Sequence, residues 1–192
     1  MVTIHTLPAT HERWDDVVAA FGRRDDDPGW CWCQRFMDPP PGGVGSPDNR
    51  TALHGEIESA SAPPGVLAYV DDTPAGWARV MPRAAVPLVN RNRALRRILD
   101  DDAGVWWITC FAVHRRHRSI GVAAGLLDAA VALAEHHGAT ALEGHPVDTD
   151  ALKADRVSGS ALFTGTMRTF LAAGFYEIGR TYPSRPVMRR DL

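Results

Sequence analysis

The chain has 192 residues and a formal net charge of −2, with 45% hydrophobic and 23% charged residues. This length suits one domain that buries its own core. The balanced charge excludes an overall attraction to nucleic acid or to an anionic membrane, so neither is an expected partner. The three cysteines, an odd and sparse number, argue against a disulfide framework and for a reducing compartment.

The first residues, MVTIHTLPATHERWDD, lack the basic start and apolar stretch of a signal peptide. The longest apolar stretch, residues 122–134, contains Asp128 and is too short to span a bilayer. We therefore expect a cytoplasmic protein.

In the first half of the chain, alternating or apolar runs predict strands, and apolar residues at helical spacing predict helices. A strand is predicted at residues 2–7 and a helix at 11–21, followed by a long irregular segment. A second helix is predicted at 47–60, because Ser46 can cap it. Strands at 66–70 and 75–81, joined by the turn Asp71-Asp72-Thr73-Pro74, predict an antiparallel hairpin.

The second half of the chain alternates strands with helices. Predicted helices cover residues 91–99, 121–137 and 162–172, and predicted strands cover 105–113, 139–143, 175–180 and 187–190. A hairpin followed by a β-α-β unit indicates a mixed sheet. The sequence therefore predicts an α/β protein, a single domain over residues 1–192 with a mixed central sheet and helices on both faces.

The segment from Val113 to Leu127 reads VHRRHRSIGVAAGLL. A predicted strand ends there, a basic turn follows, and Gly121 stands where a helix begins. The free N–H groups and positive dipole end of such a helix suit a diphosphate, provided that Gly121 and Ala123 leave room. Arg118 adds a charge suited to phosphate. The alternative is that HRRHR is a solvated basic turn.

Two motifs resemble a known family. Arg118-Ser-Ile-Gly121-Val-Ala123 is similar to the Arg/Gln-x-x-Gly-x-Gly/Ala signature of the GCN5-related N-acetyltransferases (GNAT). The segment from Phe170 to Phe175, FLAAGF, resembles that family's Tyr-x-x-x-Gly-Phe element, with Phe in place of Tyr.

Two further segments resemble a bacterial subgroup of the same family. They are Cys31-Trp32-Cys33 and the run Glu143-Gly-His145-Pro-Val-Asp148. The predicted order of strands and helices is also similar to the family's order over nearly the whole chain.

The resemblance implies a GNAT-like acyl-CoA N-acyltransferase fold and acetyl-CoA as the acyl donor. The strand before the loop would splay from the next strand, and the pantetheine arm would lie in the gap. The acceptor would be a small amine or a protein amine that attacks directly in a ternary complex, and similar folds commonly form homodimers. The residues expected to bind the cofactor are Phe111, Ala112, Val113, Arg118, Ser119, Ile120, Gly121, Val122, Ala123, Ala124 and Phe170.

Acyl transfer needs a group that takes the proton of the amine. Glu143 and His145 are the candidate catalytic bases, because they end the strand after the cofactor helix. The alternatives are a structural salt bridge for Glu143 and a turn cap for His145. Phe170 cannot protonate the leaving thiolate, which leaves Tyr176, Ser160 and Thr164 as weaker candidates for the acid.

The run Trp30-Cys31-Trp32-Cys33 lies in the long irregular segment. Alternation would put both indoles on one side, where Trp30 and Trp32 form an aromatic wall that binds the acceptor. The alternative is an amphipathic loop that buries its tryptophans. Two closely spaced thiols fall short of a structural zinc site, so no metal is expected. Cys110 is either an acylated nucleophile or an inert buried residue.

A rival function follows from Phe170. Because the usual tyrosine is missing, the chain could be a non-catalytic sensor or regulatory module that binds acyl-CoA.

Overall fold

The computed structural model describes residues 2–21, 32–37, 49–152 and 161–192. Seven strands are formed: β1 Ile4–Pro8, β2 Gly65–Val70, β3 Thr73–Pro82, β4 Val105–Val113, β5 Ala141–Gly144, β6 Tyr176–Tyr182 and β7 Arg185–Asp191. The α-helices in these ranges are α1 Trp14–Phe21, α2 Asn49–Ser59, α3 Pro87–Asn90, α4 Val122–His136 and α5 Met167–Ala172.

The strands form one mixed sheet in the order β1-β2-β3-β4-β5-β7-β6. All neighbouring pairs are antiparallel except β4 and β5, which are parallel and joined through α4. The predicted fold class, a single mixed α/β domain, is confirmed. The predicted hairpin is also confirmed as β2 and β3, with left-handed residues at Asp71 and Asp72.

Helices cover both faces of the sheet because the strand residues alternate. On β2, Val66, Ala68 and Val70 pack with α4 in the larger core cluster. Leu67 and Tyr69 point the other way and pack with α1 and α2. Within the described ranges, no helix is long and apolar enough to cross a membrane.

Two predicted helices differ from the observed ones. Residues 91–99 contain only a 3-10 turn at Leu95–Arg97, and the Asn92 side chain accepts the amides of Ala94 and Leu95 in place of helical partners. The helix predicted at 162–172 begins only at Met167, because the extended Thr166 caps it through the amide of Thr169.

The candidate active site lies where β4 and β5 stop pairing and separate. Their pairing ends at Ile108 and Gly144, yet β4 continues to Val113. A bulge in the pairing with β3 lies close to this point, where Thr109 is the extra residue between Ile108 and Cys110.

Candidate active site

The N-terminus of α4 lies directly after β4 and a basic turn. Gly121 precedes the helix with a φ of 100°, in the left-handed region that disfavours a side chain, and no side chain caps the helix there. Gly121 is exposed, and among the described residues a methyl group added to it would meet Ile4 alone, at 3.7 Å. The first amides of a 15-residue helix are therefore open to an anion.

The predicted phosphate-loop residues surround this helix end. Arg118, Ser119 and Ile120 are exposed, and the Arg118 Nε donates to the carbonyl of Val113 at 3.3 Å. Val122 is buried, so only its backbone faces the loop. Burial and the neighbouring cations hold the pKa of His114 below its usual value, which favours its neutral form.

A groove of about 320 Å³ runs from the first turn of α4 along the side of α5. Ala124 lies at one end of it, which places the groove next to the loop. Its lining residues are Ala124, Asp128, Arg168, Thr169, Ala172 and Ala173.

The gap between β4 and β5 is bridged by the segment before α5. The Phe111 amide donates to the carbonyl of Phe163 at 2.6 Å, and the Val147 amide donates to the carbonyl of Gly165 at 3.0 Å. Residues 163–165 thus lie between β4 and the segment that follows β5. Of the residues predicted to face the cofactor arm, Phe111 and Val113 point to the α4 face, whereas Ala112 packs on the opposite face.

Phe170 is fully buried at the base of this gap. Its ring stands edge-on to Phe111, with centroids 6.3 Å apart. It also lies against Gly144, where an added methyl group would be 2.6 Å from the Phe170 ring. Phe170, which the sequence aligns with the family's tyrosine, therefore lies beside the point where β4 and β5 separate. Its ring carries no hydroxyl.

Glu143 is completely buried on β5, between two arginines. Its Oε2 accepts from Arg83 at 2.7 Å and its Oε1 accepts from Arg189 at 3.0 Å. Burial raises the pKa of the carboxyl, although both arginines act to lower it. Because both oxygens are engaged, this geometry favours the salt-bridge interpretation of Glu143 over the catalytic one.

His145 follows the end of β5 and is engaged through both ring nitrogens. Arg185 lies 3.3 Å from Nδ1, and Thr181 lies 2.8 Å from Nε2. Arginine can only donate, so Nδ1 accepts and Nε2 carries the proton of the neutral ring. Burial and the Arg185 charge lower the pKa of His145 to about 4. The ring is neutral at pH 7, as a base requires, but its lone pair already has a partner.

Trp32 does not form an exposed acceptor wall. Its indole is fully buried, 4.5 Å from the Phe21 ring and 6.2 Å from the Trp14 ring. Trp32 and Cys33 both have positive φ, so neither has the extended backbone on which the predicted alternation of indoles and thiols depends. The packing alternative is favoured for Trp32, while Trp30 and Cys31 lie outside the described residues.

Cys33 forms a disulfide with Cys110 on β4, which corrects the expectation drawn from the cysteine count. The two residues are 77 positions apart in sequence, and only the fold brings their Cα atoms to 6.6 Å. The bond rules out the free thiol that a nucleophilic role for Cys110 would need. Within the described ranges, no group of three or more potential metal ligands occurs.

Sequence reasoning missed the arginines that surround the end of β5. Arg83 and Arg189 hold Glu143, and Arg185 holds His145. Each lies at least 40 positions from its partner along the chain. No local pattern could have identified them.

The sequence of the chain was compared with family models and with curated proteins. The family model described as the acetyltransferase (GNAT) family matches residues 29–156. No curated protein sequence matches the chain.

Solved structures of low sequence identity share the fold. PaiA N-acetyltransferase from Thermoplasma acidophilum, solved with coenzyme A, is 11% identical, with a TM-score of 0.54 and 99% of each chain covered. A GCN5-related N-acetyltransferase from Kribbella flavida is 18% identical, with a TM-score of 0.54 and 98% of each chain covered.

A third structure is similar over the whole chain. Diaminobutyrate acetyltransferase EctA from Paenibacillus lautus, solved with L-2,4-diaminobutyric acid and coenzyme A, is 13% identical with a TM-score of 0.51. The alignment covers 100% of the present chain and 96% of EctA. Because the family model matches about two thirds of its residues, the chain belongs to the acetyltransferase (GNAT) family.

Proposed function

We propose that this protein transfers the acetyl group of acetyl-CoA to a primary amine by direct attack in a ternary complex. The observation that carries the proposal is the N-terminus of α4, which follows β4 and has no side-chain cap at Gly121. Ala124, in the first turn of the same helix, lines the α4–α5 groove. Family membership supports acyl transfer, and PaiA, a protein of the same fold, was solved with coenzyme A.

The diphosphate of the cofactor would accept hydrogen bonds from the first amides of α4, with Arg118 supplying charge. The pantetheine arm would run along β4 from Val113 to Phe111, and Phe170 would pack against it. This path brings the thioester to the point where β4 and β5 part. It also requires the arm to pass or to displace residues 163–165.

In the reaction, the amine nitrogen attacks the thioester carbonyl carbon, the C–S bond breaks, and coenzyme A leaves as a thiolate. With a thiol pKa of ~8.5, the thiolate can leave without an acid, which is compatible with Phe170. The ammonium proton must pass to a base, and Glu143 and His145 remain the predicted candidates. Of the two, the neutral His145 is closer to a competent base, since Arg185 is its only competing partner at Nδ1.

The cofactor site is tested by replacing Gly121 with Glu. The carboxylate would occupy the anion position at the α4 N-terminus, so we expect loss of coenzyme A binding by calorimetry, at least 100-fold in affinity. Gly138→Glu is the matched control. Gly138 also has a positive φ and open space around it, but it follows the opposite end of α4. Equal affinity in the two variants would refute the proposed cofactor site.

Phe170 and the engaged state of both candidate bases favour a second candidate function, an acyl-CoA-binding sensor without catalysis. The two functions differ in thiol release. Acetyl-CoA is incubated with a panel of amines and free thiol is measured. Binding of acetyl-CoA without release above the rate of the Gly121→Glu variant would favour the sensor.

A further inference from the structure

Two arginines that contact residues 163 and 164 have no acidic partner among the residues that the structure describes. Arg185, the first residue of β7, is half-buried and donates to the Thr164 hydroxyl at 3.0 Å and to the His145 carbonyl at 2.7 Å. The Arg35 guanidinium lies 5.0 Å from the centre of the Phe163 ring. Because Phe163 and Thr164 are consecutive, the two cations contact the same short segment.

Other arginines on this side of the sheet are neutralised. Arg79 pairs with Glu56, and Arg83 and Arg189 both pair with Glu143. Among the described residues, neither Arg35 nor Arg185 forms an ion pair of this kind. Arg185 instead donates to neutral groups, the Thr164 hydroxyl and the carbonyl and ring of His145. These bonds use only part of its five N–H donors and leave its charge uncompensated.

The two charges also act on each other. Burial and the charge of Arg35 lower the pKa of Arg185. Repulsion between like charges grows as water is excluded, by several-fold near a protein surface relative to bulk water. An anion bound between the two guanidinium groups would convert this repulsion into two attractions and would meet donors of suitable geometry.

The location separates this pair from the diphosphate site. Arg185 contacts His145, one residue beyond the end of β5, where the proposed thioester would react. Arg35 belongs to the segment whose next residues, Phe36 and Met37, pack on the face of the sheet opposite α4. The phosphate loop lies beyond Val113, five residues further along β4 than Ile108, or roughly 17 Å.

We propose that Arg35 and Arg185 bind an anionic group of the acceptor, so that the substrates are primary amines that also carry a carboxylate or a phosphate. This inference rests on the proposed function for the identity of the ligand. The anion site itself is a property of the two arginines and is measurable without turnover.

The first experiment measures thermal stability in inorganic phosphate against chloride at equal ionic strength. We expect 50 mM phosphate to raise the melting temperature of the native chain by about 2–4 °C, through selective binding to the folded state. Arg185→Gln and Arg35→Gln should each lose most of this rise. Arg185→Lys should keep part of it, and Arg93→Gln, an exposed arginine elsewhere, should keep all of it.

If Arg185→Gln folds poorly, Arg35→Gln still tests the site. Arg35 is exposed, and within the described part of the chain its side chain contacts the Phe163 ring alone. Phosphate bound at the α4 N-terminus raises the melting temperature of every variant by the same amount, so this contribution cancels when variants are compared. An equal rise in the native chain and in both glutamine variants would overturn the anion site.

The second experiment measures thiol release from acetyl-CoA with matched amine pairs. The pairs are glycine and glycinamide, lysine and lysinamide, and 2-aminoethyl phosphate and 2-aminoethanol, which separate carboxylate from phosphate recognition. We expect the anionic member to react faster, and Arg185→Gln to lower its kcat/KM at least tenfold through KM while the KM for acetyl-CoA is unchanged. Preference for the neutral members would contradict the inference.

The outcomes separate the two proposals. Phosphate stabilisation that depends on both arginines, without thiol release for any amine, would support the anion site and refute acetyl transfer. Rapid turnover of neutral amines that the arginine substitutions do not change would support acetyl transfer and refute the anion site.

Discussion

Glu143 and His145 stand two residues apart, and neighbouring arginines act on their charged forms in opposite directions. Glu143 lies between two cations that stabilise its ionised form. His145 faces the cation Arg185, which opposes its protonation. A base beside an arginine gains proton affinity when that arginine is neutralised. An anionic acceptor bound to Arg185 would therefore make His145 a stronger base in the complex than in the free protein.

The depressed pKa of His145 predicts a pH-dependent stability. The folded pKa is about 4, below the value of ~6.5 expected in the unfolded chain. Between these values the unfolded state binds more protons, so the free energy of unfolding should fall as the pH is lowered from about 6.5 to about 4. One proton gives a slope of at most ~1.4 kcal/mol per pH unit.

The measurement is urea unfolding across that pH range. His145→Asn should flatten the dependence, because Asn does not titrate while its oxygen can still accept from Arg185. His114 is present in both proteins, so the difference reports His145. A pH dependence identical in the two proteins would show that His145 is not held neutral.

At the level of strands and helices, β5 and α5 come close together at Gly144 and Phe170. A methyl group on Gly144 would stand 2.6 Å from Phe170 and 2.8 Å from Ile108, both fully buried. Gly144→Ala should therefore destabilise the fold by about 1–3 kcal/mol through overpacking. Chemical denaturation measures the change.

Gly55→Ala is the matched control. Gly55 lies in α2 with nothing within 4 Å of an added methyl group, so this substitution should stabilise by about 0.5–1 kcal/mol. If Gly144→Ala were equally harmless, the helix would be able to retreat from the strand, and the packing at Phe170 would be looser than the distances indicate.

Elements with a strong local pattern were the ones that the sequence predicted well. The apolar run of β4 predicted its bounds, and the spacing in α4 predicted the helix within one residue at each end. The loop at Gly121 was predictable for the same reason, because its chemistry lies in consecutive residues. The late start of α5 was not, since it depends on the hydroxyl of Thr166 and on pairing with Val147.

Contacts between distant residues were beyond local reasoning. His145 and Arg185 are 40 positions apart, and Cys33 and Cys110 are 77 apart. Nothing at either position reveals the other. This is why candidate residues for a cofactor loop could be proposed from the sequence, whereas the partners of Glu143 and His145 could not.

For the whole molecule, the disulfide ties the segment at residues 32–37 to the central strand β4. A loop of 77 residues closed by a disulfide contributes about 2–4 kcal/mol, mainly by restricting the unfolded chain. Cys33→Ala should lower the free energy of unfolding by about that amount. In the cytoplasm expected from the sequence, such a bond would be exposed to reduction.

Reductant supplies the internal control. Dithiothreitol should lower the melting temperature of the native chain to that of the Cys33→Ala variant and leave the variant unchanged. The melting temperature of the native chain could instead be insensitive to reductant and equal to that of the variant. The bond would then not stabilise the fold in solution.

If the cofactor arm pairs with β4 as proposed, the hydrogen bond from the Phe111 amide to the Phe163 carbonyl would also limit how fast the cofactor enters. A cofactor arm that pairs with β4 at Phe111 must wait until this bond opens, so only the open fraction of molecules binds. If that fraction were about one in ten, the apparent dissociation constant would rise tenfold, or ~1.4 kcal/mol. The association rate would then level off at the opening rate when the cofactor is abundant. Occupancy by cofactor would thus depend on a bond that the cofactor itself replaces.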